Sequence, residues 1–410
     1  MTERTAPPAP ARGTVGSTQA LLLLLIYVAF VSLGLPDGLL GAAWPQMRAD
    51  FSAALNANAP ILFLATLGGM TSGFLSGWIL RRLGVGRVLV LNTFLTSFAI
   101  LGFAFSPGLA SLAVLSFFLG LGNGAIDAGL NNFVANHLSS RHMNWLHAFW
   151  GVGVSLGTLV ISGIFAANGS WRTAYQIIGL FQAALGVAFL LNLSSLQSPG
   201  DAQTPGRTEP HPPFLATLAL PAAWASLALF FAYCGVEFGT GIWIASLLHD
   251  GRGWSMESAG LMVSLYWGSL TAGRFLIGTV SNRTTPLRIV RWALFGAIAG
   301  TSLIALSSLS SLPTGAAGSI TGLGLLVTGL SLAPIFPMLM HDTPRLVGRD
   351  HAMNLMGFQS AIANLGVAAM PSAIGVVLRW QSTEALGPLL LTIALTMAGL
   401  LALRESGLAR

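Results

Sequence analysis

Apolar blocks long enough to cross a bilayer recur along this whole chain, parted by short polar breaks, and that recurrence restricts the fold more than any other feature of its 410 residues. A helix needs roughly 20 apolar residues to span hydrocarbon. Twelve such blocks can be counted, at 19–43, 58–80, 87–105, 110–136, 145–167, 173–193, 219–248, 256–280, 287–308, 315–340, 353–378 and 386–403. Backbone groups in lipid must bond within the chain, and these blocks are too long for barrel strands, so all twelve are expected to be helices. Composition agrees: 54% of residues are hydrophobic and 8% charged, against about 25% charged in a soluble domain. The expected fold class is an all-α membrane protein. Met1 to Ser17 is polar and rich in Pro and Ala, without the pattern of a cleavable signal, so the first block is expected to remain as a span. The one cysteine, Cys234, lies in apolar surroundings and is read as packing.

The basic residues, all 19 of them arginine, orient the spans. With both termini inside, Arg4, Arg12, Arg81, Arg82, Arg87, Arg141, Arg207, Arg283, Arg288, Arg291, Arg345, Arg349, Arg404 and Arg410 fall on the cytoplasmic side. Arg48, Arg172, Arg252 and Arg379 fall outside, and Arg274 stands within a span. That asymmetry obeys the positive-inside rule and explains the high isoelectric point as topology. The arginines form no aromatic-interleaved patch, so nucleic acid is not an expected partner. The expected location is a bacterial inner membrane, crossed many times, with both termini cytoplasmic.

A repeat near 200 residues organises the spans. Ser194 to Pro213, SSLQSPGDAQTPGRTEPHPP, is the long polar stretch and divides the spans six and six. The expected domains are a tail (1–18), a six-helix bundle (19–193), a cytoplasmic linker (194–214), a second six-helix bundle (215–404) and a tail (405–410). The halves echo one another. Asp37-Gly38-Leu39-Leu40-Gly41 with Trp44 matches Glu237-Phe238-Gly239-Thr240-Gly241 with Trp243, and Gly77 to Arg82 matches Gly278 to Arg283. Parallel repeats of this kind occur in membrane transporters that bind substrate between the halves near mid-membrane, and such a site is the expectation here.

Asp37, Asp127 and Glu237 lie inside the apolar blocks. An acid at that depth costs about 2.5–3.5 kcal/mol on insertion scales, and it marks an ion or substrate path or a bond to a neighbouring helix. A carboxyl that alternates between wet and dry surroundings changes its hold on a proton, which suits Asp37 and Asp127 to proton coupling. Asp37 follows Gly34-Leu35-Pro36, expected to loosen the first span around a cavity. His147 is a further candidate proton carrier, and an interhelical hydrogen bond is its plainer reading. Arg274 either neutralises an acid or anchors a gate through helix-end carbonyls. An enzyme would need a nucleophile with its base or a metal cluster, and neither pattern is present in the sequence.

The loop Gly77-Trp78-Ile79-Leu80-Arg81-Arg82-Leu83-Gly84-Val85-Gly86-Arg87 resembles G-x-L-x-D-R-x-G-R-R, the loop 2-3 motif of the major facilitator superfamily, except that Arg81 stands at the acidic position. Gly124-Ala125-Ile126-Asp127-Ala128-Gly129-Leu130-Asn131 and Trp145-Leu146-His147-Ala148-Phe149-Trp150-Gly151-Val152-Gly153 carry a closer likeness. With Gly235-x-Glu237-x-x-x-Gly241-x-Trp243 and Gln359-x-x-x-x-Asn364-Leu365-Gly366-x-x-x-x-Pro371, they resemble the fucose-galactose-glucose:proton symporter branch, including its sodium-dependent-glucose-transporter-like relatives.

The resemblance implies the major facilitator fold, twelve transmembrane helices in two pseudo-symmetric six-helix bundles, with the first, fourth, seventh and tenth spans lining the cavity. It implies proton-coupled symport of a hexose-type sugar by alternating access, with sodium in place of the proton as a variant. Asp37 and Asp127 become the coupling pair, with Glu237 and His147 as further proton sites. Sugars are held by amides, carboxylates and an aromatic face. Asp37, Trp44, Gln46, Asn131, Glu237, Trp243, Asn354, Gln359 and Asn364 are therefore the expected substrate contacts, with Asn132 and Tyr266 at similar depth. Arg81, Arg82, Arg87, Arg274 and Arg283 are the expected cytoplasmic gate. No cofactor or metal is expected, a monomer is the expected unit, and the alternatives are an exporter of drugs or metabolites and a non-transporting receptor of the same fold.

Overall fold

The computed structural model describes residues 17–53, 57–196, 212–308 and 314–406. Most of the expected N-terminal tail and linker, and the end of the C-terminal tail, lie outside the described residues. The first half comprises α1 (Ser17–Asp50), α2 (Ala59–Ala104), α3 (Leu109–His137), α4 (Ser140–Ala166), α5 (Trp171–Leu191) and a single turn, α6 (Leu193–Leu196). The second comprises α7 (Pro221–Ser246), α8 (Met256–Val280), α9 (Pro286–Leu306), α10 (Thr314–Leu332), α11 (Ile335–His341), α12 (Thr343–Trp380) and α13 (Leu386–Ser406).

Ten of the described helical stretches are long and apolar enough to cross a membrane. The long α2 is two spans joined at Gly84, whose φ of +74° is a conformation that glycine adopts without strain. Arg274 and a run of Ser, Gly, Tyr and Trp dilute α8, which packs as a full member of its bundle. With these, twelve spans are present. Gly348, at φ +79°, separates the end of the tenth span from the eleventh within α12. The tenth span is interrupted between α10 and α11, beside Pro334 and Pro337. Against expectation, α1 runs unbroken through Gly34-Leu35-Pro36.

The two bundles repeat the same pairings. In the first, α1 packs on α4, the first leg of α2 on α3, and its second leg on α5; in the second, α7 packs on α12, α8 on α10, and α9 on α13. Lipid removes the hydrophobic drive between helices, so close packing and small residues hold them together. At the α1–α4 crossing, a Cβ on Gly34 would lie 2.2 Å from Trp150 O and one on Gly38 2.1 Å from Val154 O. From the other side, a Cβ on Gly153 would lie 2.1 Å from Val31 O and one on Gly157 2.3 Å from Leu35 O. Four glycines thus bring two backbones into contact, and that contact sets where Asp37 sits.

The end of the molecule where α1 begins, α2 turns at Gly84 and α13 finishes carries most of the arginines and is here called the basic end. At the opposite end Arg172 donates to Ala104 O and Ser106 O, both at 2.9 Å, satisfying carbonyls at the C-terminus of α2.

The α1–α4 packing generates a stability prediction. Gly153→Val should destabilise the purified protein by about 1–3 kcal/mol through overpacking, whereas Gly163→Ala on the same helix, where a Cβ meets nothing within 4 Å, should leave the melting temperature unchanged. Thermal unfolding in detergent reads both, and equal melting temperatures would remove the close-packing account.

Candidate functional site

The two halves meet along their basic halves. The first leg of α2 lies against α12, where a Cβ on Gly357 would fall 2.2 Å from Gly73 O. Arg81 Nη1 donates to Asn354 Oδ1 at 2.7 Å across this contact. On the other side α4 lies against α8: Arg141 Nη2 donates to Thr279 O at 3.4 Å, Ser140 Oγ to Asn282 Oδ1 at 3.3 Å, and Trp145 Nε1 to Phe275 O at 3.3 Å. A third link joins His341 Nε2 to Leu138 O at 3.3 Å.

Above this seal, a single chain of polar contacts runs through the seam and gathers the acids. Asp127 on α3 accepts from Asn131 Nδ2 and, across the seam, from Ser360 Oγ on α12, both at 2.8 Å. Asn131 Oδ1 is 3.1 Å from Nε2 of His147 on α4, so that nitrogen carries the proton. The His147 ring is held edge-on by Phe30 and Phe336. Its backbone carbonyl accepts from Arg274 Nη1 of the opposite half at 3.4 Å. Arg274 Nη2 binds Glu237 Oε1 at 2.9 Å in an ion pair whose two side chains are each 5% exposed. The Arg274 guanidinium also lies 6.0 Å from the Trp150 ring centre, and Trp150 Nε1 donates to Asp37 Oδ2 at 3.1 Å.

Burial separates the three acids into different tasks. Glu237 is closed in: Arg274 neutralises it, and Tyr266 OH donates to its backbone carbonyl at 2.8 Å. Burying such a pair stays tolerable only while both members are present. Asp127 is half-buried. Asp37 is exposed between buried Pro36 and Gly38, and a Cβ on Gly41, one turn along, would meet nothing within 4 Å. Since Trp150 links Asp37 towards Arg274, this open strip of α1 looks onto the seam between the halves.

The expected site residues divide accordingly. Asp37, Asp127, Glu237, His147 and Asn131 are brought together, with Arg274 joined to them. Its place is that of counter-ion to Glu237, with one arm reaching across the seam, and not a helix-end anchor at the gate. Gln46 accepts from the backbone N–H of Trp171 at 2.7 Å at the start of α5, away from the acids, and Trp44 is buried in the cluster around Leu39 and Ile161. Trp243 donates to Pro371 O at 2.8 Å, bracing α7 on α12. Gln359 donates to Ser226 Oγ at 2.9 Å and accepts from Thr343 Oγ1 at 3.0 Å while fully buried. Asn354 serves the seal: beyond Arg81, it donates to Thr217 Oγ1 at 3.2 Å. Asn364 is half-buried and faces Gly69 of α2 across the seam. Asn132 accepts from Asn136 on its own helix.

The arginines of the expected gate also divide. Arg81 crosses the seam. Arg82 stacks on Trp78 of its own helix with 4.3 Å to the ring centre. Arg87 and Arg283 are exposed and make no hydrogen bond or ion pair among the described residues. The helix-end carbonyl is instead reached by Arg141, which in the sequence counts only towards topology. Ser360 is the other residue sequence reasoning missed, because one serine on an apolar helix gives no signal until the facing helix is known.

A family model described as Major Facilitator Superfamily matches residues 26–371. Among curated proteins, the uncharacterized transporter y4wD of Sinorhizobium fredii is 28% identical, over 74% of this chain and 78% of that protein. The glucose/mannose transporter GlcP of Bacillus subtilis is 23% identical over 91% of this chain and 92% of its own length. A crystal structure of the transporter FucP in the outward conformation matches with a TM-score of 0.75 at 14% identity, covering 93% of this chain and 98% of FucP. A second, of FucP described as the E. coli fucose:proton symporter, matches with a TM-score of 0.68 at 14% identity, covering 92% and 97%. With a matching model over most of its length and the twelve-helix, two-bundle architecture in place, the chain belongs to the major facilitator superfamily.

Proposed function

We propose that this transporter carries a small polar solute of the hexose-sugar type by proton-coupled symport, with alternating access between the two halves and the basic end towards the cytoplasm. The observation that carries the reading is the continuous chain from Asp37 through Trp150, Arg274, His147 and Asn131 to Asp127. It runs from an open acid to a half-buried one, both in the first half, by way of Arg274 of the second, so it crosses and recrosses the seam that has to part. The names borne by GlcP and FucP support the sugar class.

Each acid has a distinct role in this reading. Asp37, open beside an indole, suits a sugar: its carboxylate accepts from hydroxyls while Trp150 offers an apolar face. Asp127 suits the proton. Ionised, it accepts charge-assisted bonds from Asn131 and from Ser360 of the opposite half. Protonated, it loses that charge, the bond across the seam weakens, and the halves are freed to part at the basic end. Glu237 and Arg274 act as a paired strut, since breaking such a pair leaves a buried charge unpaired. Asn131, fully buried and bonded to both Asp127 and His147, keeps the proton site in register.

Two substitutions separate the proton from the solute. Asp127→Asn mimics a permanently protonated acid, so in proteoliposomes it should abolish pH-driven accumulation of labelled hexose while retaining counterflow. Asp37→Asn should reduce both. Accumulation that persists in Asp127→Asn under a pH gradient would exclude Asp127 as the coupling site, and accumulation driven by a sodium gradient alone would replace the proton by sodium.

The seal makes a separate prediction. Removing the 2.7 Å bond to Asn354 in Arg81→Ala should favour the state open at the basic end by about tenfold, the equivalent of one typical hydrogen bond. Arg82→Ala, which loses only its stacking on Trp78, should stay near the parent. Labelling a cysteine placed in the cavity, from the basic side of sealed vesicles, measures this; equal labelling of the two variants would refute it.

A further inference from the structure

A cavity of about 420 Å³ opens on the outer flank of the second bundle near the basic end, between α8, α9 and the end of α10. It lies apart from the acids and their seam. Its floor is apolar, with Ile277, Leu330 and Pro334, and its rim carries Thr284, Arg288 and Trp292. Leu276, Trp292 and Phe295 around it are 61%, 72% and 66% exposed, as side chains facing acyl chains are.

The rim is electrostatically unfinished. Three neighbouring arginines have acids: Arg291 binds Glu405 at 3.0 Å, Arg404 binds Asp342 at 2.8 Å, and Arg345 stands 3.8 Å from the same Asp342. Arg288 is exposed and has no acidic partner among the described residues. Beside it Thr284 lines the same cavity, and its buried hydroxyl has no hydrogen-bond partner. The first turn of α9 begins at this rim, with Thr285 at its N-cap making no side-chain cap bond, so the positive end of the helix dipole adds to the charge.

We infer that this groove is a binding site for an anionic phospholipid from the leaflet at the basic end. The phosphate is held by Arg288 and Thr284, Trp292 lies at headgroup level, and an acyl chain covers Ile277, Leu330 and Pro334. Charge complementarity selects this occupant: a zwitterionic lipid brings its own cation to a rim that already has one, whereas a phosphatidylglycerol headgroup supplies the missing anion. Basic pockets between spans at the cytoplasmic face have this chemistry. The lipid rests on Pro334, where the tenth span is broken between α10 and α11. The site therefore sits against the interruption of the tenth span.

Native mass spectrometry of the full-length protein, released from mixed phosphatidylglycerol and phosphatidylcholine micelles, tests the assignment. The parent should retain phosphatidylglycerol in preference to phosphatidylcholine. Arg288→Ala should cut that retention about fivefold, the effect of one basic residue at a membrane surface, and Thr284→Val should lower it further. Arg288→Lys should keep most of it, and Arg291→Ala should leave it unchanged because that arginine is engaged by Glu405. Equal retention of the two lipids, no change in Arg288→Ala, or an equal loss in Arg291→Ala would each overturn the site, the last by reducing it to unspecific attraction to a basic surface.

Discussion

In hydrocarbon, helices gain nothing by hiding apolar surface from one another, and everything in this molecule depends on how they are brought close without that drive. The answer is backbone contact at glycine. Gly34 and Gly38 lie on the carbonyls of α4, and Gly153 and Gly157 on those of α1. Gly68 and Gly120 do the same for α2 and α3. Dispersion forces fall off within fractions of an ångström, so each such contact fixes the register of a helix pair, and with it the height of every polar side chain the pair carries. Asp37 reaches Trp150 because α1 and α4 touch here and not one turn higher.

That precision is spent on the seam. Within each half the helices are locked, whereas between the halves the contacts concentrate at the basic end, where Gly73 meets Gly357 and Arg81 meets Asn354. Most bonds across the seam use neutral acceptors, amides and backbone carbonyls, at distances from 2.7 to 3.4 Å. Bonds of that kind are worth about 0.5–1.5 kcal/mol each. The two ionic pairs buried on both sides, Glu237 with Arg274 and Asp342 with Arg404, lie within the second half and do not cross the seam. Arg81 in place of the motif's acid fits this division, since the loop now closes through an amide on the opposite bundle.

The bonds from Ser360 to Asp127 and from Arg274 to the His147 carbonyl stand out because each involves an intramembrane acid or the counter-ion of one. The other hydrogen bonds described across the seam use no acid.

The sequence by itself determined the twelve spans, their division into halves and the identity of the intramembrane acids. These properties are local: a span is a matter of length and apolarity, and an acid in a span is conspicuous wherever it points. The loop between the second and third spans, where Gly84 turns, was legible from the same kind of local signal, whereas Gly34-Leu35-Pro36 left α1 unbroken because packing on α4 holds it. What the tertiary structure decided was who faces whom. Gln46, Trp243 and Gln359 look in the sequence like sugar contacts, but packing turns them to a helix N-terminus, a carbonyl and two hydroxyls. Ser360 and Arg141 gave no local sign, and gained their roles only when α12 was laid against α3 and α4 against α8. A helix shows a different face every 100° of rotation, and nothing in an apolar run says which face meets the partner until the close contacts are made.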